Sequence, residues 1–165
     1  MRVMLPIALA AVLVSPAAVS AQGSTRTPVA YNQTISANPF GLMFKWWNVE
    51  YERKLSDSQT FGVSGSRFDL GNGELDRGTI FYRYYPQQAA LTGTYLGARV
   101  GVMRGGAPRS SHSALSGGVE IGYSWLLGPR RNVGLSIGAG VDRIHAEEMS
   151  FALPSIRLVN VGIAF

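Results

Sequence analysis

From about residue 33 to the last residue, apolar side chains recur at every second position, and short clusters of turn residues interrupt the pattern. Three runs carry the period most clearly. Between Ser116 and Trp125, Val119, Ile121, Tyr123 and Trp125 share one face; Ser116, Gly118, Glu120, Gly122 and Ser124 share the other. Between Val133 and Asp142, Val133, Leu135, Ile137, Ala139 and Val141 alternate with Gly134, Ser136, Gly138, Gly140 and Asp142. Between Tyr95 and Val102, Leu96, Ala98, Val100 and Val102 oppose Tyr95, Gly97, Arg99 and Gly101. A period of two calls for strands and not helices. Further strands are expected near 33–44, 46–55, 60–70, 77–86 and 154–165. The turn signals between strands are Ser56-Asp57-Ser58, Gly71-Asn72-Gly73, Pro86-Gln87-Gln88, Gly105-Gly106-Ala107-Pro108 and Gly128-Pro129-Arg130. Lys45-Trp46-Trp47 holds neither Gly nor Pro, so the first two strands could also form one long bent strand. The fold class is therefore all-β with about eight strands.

The beginning of the chain follows another pattern. Arg2 precedes an apolar run from Val3 to Val14, and Val19-Ser20-Ala21 has the small-x-small form that signal peptidase cuts. Residues 1–21 read as a signal peptide cleaved before Gln22, residues 22–32 as a flexible lead-in, and residues 33–165 as a single domain. The apolar run is interrupted by Pro16 and falls short of the roughly 20 residues of a spanning helix. No later segment reaches that length. If the exported chain enters a membrane, it does so as a closed barrel, because only helices and closed barrels satisfy every backbone group in lipid.

Alternation does not say which face is inside, since a soluble lipocalin-like barrel alternates too, with its apolar face inward. Three features favour the inverse. The polar faces are rich in Gly and Ser, which fit the narrow interior of an eight-stranded barrel. They also carry charges of both signs in mid-strand: Glu50, Glu52, Arg83, Arg99, Glu120 and Asp142. Inside, these six could pair as a lumen charge network; facing lipid at mid-depth, a basic residue would cost about 2–4 kcal/mol. Finally, Trp46, Trp47, Tyr82, Tyr84, Tyr123 and Trp125 fall near presumed strand ends, as two interfacial girdles would require.

The chain ends Val159-Asn160-Val161-Gly162-Ile163-Ala164-Phe165, with Val159, Val161, Ile163 and Phe165 expected on one face. This resembles the C-terminal signature of outer-membrane barrels, whose family resemblance implies recognition of Val161, Ile163 and Phe165 by the barrel-assembly machinery. The mature chain as a whole resembles the small OmpA/OmpX-like outer-membrane β-barrel proteins. Asn38-Pro39-Phe40-Gly41-Leu42 followed by Asn48-Val49-Glu50-Tyr51-Glu52-Arg53 also resembles uncharacterised outer-membrane β-barrel domains of that superfamily. The resemblance implies a closed antiparallel up-and-down transmembrane barrel in a bacterial outer membrane. It implies as partners outer-membrane lipids and lipopolysaccharide, with periplasmic chaperones and the assembly machinery during biogenesis, and a monomeric state. It departs from the OmpA pattern in that no peptidoglycan-binding domain follows Phe165. The expected loops are short, which argues against an OmpX-type protruding sheet.

Several activities are open to such a barrel. Net charge is +5 and all but two of the 15 basic residues are Arg, yet they are scattered, with only Arg130-Arg131 adjacent, so nucleic acid is not an expected partner. Without cysteine there is no thiolate metal site, and no cofactor is expected. Some small outer-membrane barrels are lipid A or phospholipid hydrolases in which a His activates a Ser. His112, in Ser110-Ser111-His112-Ser113, and His145, near Asp142, Glu147 and Glu148, are the candidates, both expected in loops. The lipid A deacylase pattern has His and Ser two apart on one strand face, and here Ser110 and His112 stand in reverse order. A narrow pore and a soluble periplasmic ligand-binding barrel are further alternatives. Arg67, Arg77, Arg104, Arg109, Arg143 and Arg157, expected near outer loops, are candidates for lipopolysaccharide phosphates. The expected function is a non-enzymatic integral barrel with a plugged lumen and a structural or surface-interaction role.

Overall fold

The computed structural model describes residues 31–69, 71, 73–107, 110–146 and 149–165; the expected signal peptide and nearly all of the lead-in lie outside them. Eight strands follow in chain order: β1 (Gln33–Ala37), β2 (Trp46–Ser56), β3 (Gln59–Asp69), β4 (Glu74–Tyr84), β5 (Gly93–Ala107), β6 (Ser110–Leu127), β7 (Val133–Ala146) and β8 (Met149–Ala164). Each pairs antiparallel with the next, and β1 pairs with β8, so the sheet closes as an up-and-down barrel. Closure runs from Thr34 opposite Ala164 to Ala37 opposite Val161. The backbone of Phe165 extends it: its carbonyl accepts from the N–H groups of Asn32 at 3.1 Å and Gln33 at 3.0 Å, and its N–H donates to Gln33 at 2.9 Å. One end of the barrel, the turn end, carries Phe165 and the links 57–58, 85–92 and 128–132. The other, the loop end, carries 38–45 and the strand ends Asp69, Glu74, Ala107, Ser110, Ala146 and Met149.

The polarity is inverted relative to a soluble barrel. Val100, Val119 and Ile156 are 61%, 64% and 68% exposed on the outer wall, whereas Arg83 is fully buried. The clear runs of the sequence keep their expected faces, apolar outward. Small residues inside are required for space: a Cβ at Gly62 would overlap the Phe81 ring, and one at Gly122 would overlap the Tyr95 ring and hydroxyl.

Several local expectations are corrected. β1 ends at Ala37, not at residue 44. Asn38 stops it, because its Oδ1 accepts from the N–H groups of Phe40 (2.9 Å) and Gly41 (3.1 Å), an Asx turn that leads into a 3-10 turn at Gly41–Phe44. A single bent strand is thereby excluded, and Lys45 turns the chain back with φ 55°. Gly105 and Gly106 are not a turn. They pair with His112 and Ser111, and the ladder runs on to Ala107 opposite Ser110, so His112 lies in β6 and His145 in β7 instead of in loops. The same lengthening makes β5 to β8 reach further at the loop end than the short expected loops suggested. Two aromatic girdles do not form from the six expected residues. Trp46 faces the lumen; Tyr82, Tyr84, Tyr123 and Trp125 face outward towards the turn end, beside Phe61 and Phe165; Trp47 alone faces outward at the loop end.

An outer wall of this kind tolerates charge poorly. In folding titrations into phospholipid vesicles, Val100→Arg, near the middle of β5, is expected to lose about 2–4 kcal/mol. The same change at the exposed rim position Leu55 should lose roughly 1 kcal/mol or less.

Candidate functional site

Among the described residues, the lumen gathers the largest group of bonded charged side chains. Strand parity directs Glu50 and Glu52 of β2, Arg77, Phe81 and Arg83 of β4, Tyr95 and Arg99 of β5, Glu120 of β6 and Asp142 of β7 inward. Arg83 is the hub. Its Nε donates to Glu120 at 2.8 Å, and its Nη1 donates to Glu50 at 2.9 Å and also to Glu52. Its guanidinium lies 4.1 Å from the centre of the Phe81 ring and 4.6 Å from that of Tyr95, a cation–π sandwich in a desolvated setting. Glu52 in turn accepts from Thr60 Oγ1 at 2.5 Å and Tyr85 Oη at 2.9 Å.

A second layer lies towards the loop end. Arg99 grips Asp142 with two parallel bonds, Nε at 2.8 Å and Nη2 at 3.0 Å, and reaches Glu120 at 3.1 Å and the Ser155 hydroxyl. Arg157 donates to Glu50 and, at 3.3 Å, to Glu120. Arg77 Nη2 pairs with Asp142 at 2.9 Å. Four carboxylates thus meet four guanidiniums and the lumen is electrically balanced, as buried charges require.

The structure places all six residues expected in the lumen within this cluster. It adds Arg77 and Arg157, which the sequence reading had set near outer loops as phosphate binders; that placement is corrected. Arg77 was legible, because it shares parity with Thr79, Phe81 and Arg83. Arg157 was not, because its parity depends on a bulge. Ser136 pairs with Asn160 but Gly138 with Arg157, so one extra residue sits in β8 and turns both Arg157 and Asn160 inward although they are three apart. Val159 falls in that bulge, while Val161, Ile163 and Phe165 face outward beside β1.

Below the charges, the lumen is filled at the turn end. The rings of Tyr85 and Tyr95 stand 5.7 Å apart, and Ala90, Leu91 and Thr92 of the β4–β5 link are buried against the barrel. The link is tied down by Ala90 N–H donating to the Asp57 carbonyl at 2.8 Å and Tyr85 N–H to that of Ser58 at 2.7 Å.

The two histidines lie in strands, His112 in β6 and His145 in β7. His145 faces outward and Asp142 inward, on opposite faces of β7. Ser150, across from His145 in register, accepts from Arg143 Nε at 3.0 Å. Exposed His112 pairs in register with Gly105. Glu147, Glu148 and Arg109 lie outside the described residues. At the loop end of the outer wall, Arg67 binds Asp76 through Nε at 2.5 Å and Nη2 at 3.0 Å, and Arg104 stands opposite Asp76 in register. Among the described residues no cluster could hold a metal ion.

Comparison with known proteins gives a family and a fold. The family described as Protein of unknown function (DUF3575) matches residues 75–157. The outer membrane protein Ail of Yersinia pestis, solved in a phospholipid bilayer nanodisc, aligns with a TM-score of 0.50 at 14% identity, over 82% of this chain and 99% of that one. The N-terminal β-barrel domain of Pseudomonas aeruginosa OprF aligns with a TM-score of 0.47 at 13% identity, over 81% of this chain and 94% of that one. No curated protein matches. At this identity the likeness to Ail is one of fold.

Removing the hub should show how the lumen is balanced. Arg83→Met leaves Glu52 without a guanidinium and the lumen one positive charge short, and is expected to cost about 3–5 kcal/mol in urea unfolding of the detergent-folded barrel. Adding Glu50→Gln and Glu52→Gln should return a substantial part of that loss.

Proposed function

The chain belongs to the DUF3575 family of proteins of unknown function, and from that premise we propose that it is a non-enzymatic integral protein of a bacterial outer membrane whose lumen stays closed. The observation that carries this reading is the inverted polarity of the closed ring. An outer wall of Val, Ile and Leu surrounds a core of paired charges, an arrangement that is stable in lipid and wasteful in water. The fold shared with Ail supports it. The reading takes residues 1–21 as an export signal and the outward set Val161, Ile163 and Phe165 as the handle for the barrel-assembly machinery. It takes a monomer as the working form, since the eight strands of one chain close the ring among themselves.

The closed state rests on Arg83, Tyr85, Tyr95, Thr60 and Asn160, all below 2% exposure in the cross-section. Work at the surface then falls to the loop end. There the outward row of Arg67, Asp76 and Arg104, with Arg143 nearby, supports contact with the anionic headgroups of outer-membrane lipids and lipopolysaccharide. A hydrolase reading gains no support from the outward His145 and inward Asp142.

Expression of the full chain in a Gram-negative host checks the proposal. The expected result is a protein in the outer-membrane fraction that resists carbonate extraction, migrates faster in unboiled detergent gels, and gives no steady channel in planar bilayers. A mature chain freely soluble without detergent would overturn the membrane reading, and steady single-channel conductance would overturn the closed lumen.

A further inference from the structure

Between the salt-bridge layer and the loop end the lumen holds a polar cavity of about 110 Å³. Its lining includes Asn38, Asn48, Arg77, Arg99, Arg157 and Asn160. This is far more than the roughly 10–15 Å³ that a single water needs. Glu50 and Phe81, both in contact with Arg83, line it on the side of the hub, while Trp46, Asn48, Ser66 and Ser155, which are half-buried, mark its approach from the loop end.

The wall of this cavity is unfinished. Asn38 Nδ2, Arg77 Nε, Arg157 Nε and both side-chain atoms of Asn160 are buried and have no partner. Asn38 and Asn160 are only 3% and 1% exposed. The Asn38 amide is oriented by its own turn, since Oδ1 is used by Phe40 and Gly41 and the amide nitrogen is left over. Each such group left unsatisfied costs about 1–3 kcal/mol, so groups of this kind are normally matched by water or a ligand. The mismatch is one-sided: four donors face one acceptor. Water offers as many hydrogens as lone pairs, whereas a group made of acceptors completes such a wall. Three guanidiniums and a single carboxylate, Glu50, line the same space. Arg side chains with free N–H groups favour planar or tetrahedral oxyanions.

We propose that the loop-end half of the lumen is a binding site for one small oxyanion of the phosphate or sulfate class, held among Arg77 Nε, Arg157 Nε and the side-chain amides of Asn38 and Asn160. The site takes the free ion, because a lipid phosphate carries acyl chains that a cavity of this size inside the ring excludes. The eight luminal charges already balance, so the ion enters as an excess charge and its hold depends on the donor wall. The proposal needs only the barrel and its lumen and is independent of where in the cell the barrel resides.

Titration calorimetry on the full chain, folded in a zwitterionic detergent free of lipid and phosphate, tests it. Inorganic phosphate is expected to bind with one site per barrel, sulfate to compete, and chloride at equal ionic strength to compete poorly. Asn160 makes no other side-chain bond in the structure, so Asn160→Ala should keep the heat-modifiable gel shift while weakening phosphate by about tenfold, the order of one hydrogen bond to a charged group. Arg67→Gln, on the outer rim, should leave the affinity unchanged. Absence of saturable phosphate and sulfate binding to the wild-type barrel would mean that the cavity holds water alone, and would overturn the proposal. So would binding that survives Asn160→Ala but is lost in Arg67→Gln.

Discussion

Closure of the ring between β1 and β8 is the constraint from which the rest of the molecule follows. A ring that closes on itself can turn its apolar side chains outward, and eight strands leave an interior only wide enough for side chains. The closing seam is short, four residue pairs and the backbone of Phe165. The final residue therefore has two uses: its main chain completes the ladder, and its ring adds to the aromatic girdle at the turn end.

A narrow closed interior in turn dictates the character of its contents. Charges placed there lose water and must find each other. Arg83 meets this demand by touching carboxylates from two strands while two aromatic rings cover its faces. Glycines opposite those rings make the fit possible, so the Gly-rich inner face and the buried arginine are two parts of one solution. Equal numbers of guanidiniums and carboxylates then leave the interior without net charge.

Much of this was written in strand parity. Glu120 and Asp142 could be assigned inward because unbroken alternation surrounds them, and the outward sets Val119 to Trp125 and Val133 to Val141 needed no further information. The parts that were hidden are those where parity changes or where a residue type has two uses. Counting back from Phe165 by twos puts Arg157 outside; the β8 bulge reverses it, and no Gly or Pro marks the spot. Phe81, Tyr85 and Tyr95 are aromatic like the girdle residues, and only the missing Cβ atoms of Gly62 and Gly122, the register partners of Phe81 and Tyr95 on the neighbouring strands, show that large rings fit inside. Asn38 reads as a polar strand residue until its side chain is seen capping its own turn.

The early stop at Asn38 also shapes the loop end. β2 to β4 are 11 residues long, while β5 to β8 run to 15, 18, 14 and 16. A tilted span of bilayer needs about 9–11, so one side of the wall rises past the other. Because β1 reaches only Val161 of its neighbour, residues 149–160 of β8, its loop-end part, have no β1 partner. Pro154 lies in that part, where the lack of a backbone N–H costs least. Further round the ring β6 pairs with β7 only as far as Leu115 and His145, beyond which the β5–β6 hairpin continues by itself to Ala107 opposite Ser110. The barrel thus turns an uneven, polar and partly unpaired rim outward at the same end at which its lumen widens. Specificity of any kind is easier to build there than on the uniform outer wall, because there alone backbone groups, arginines and the approach to an inner cavity occur together.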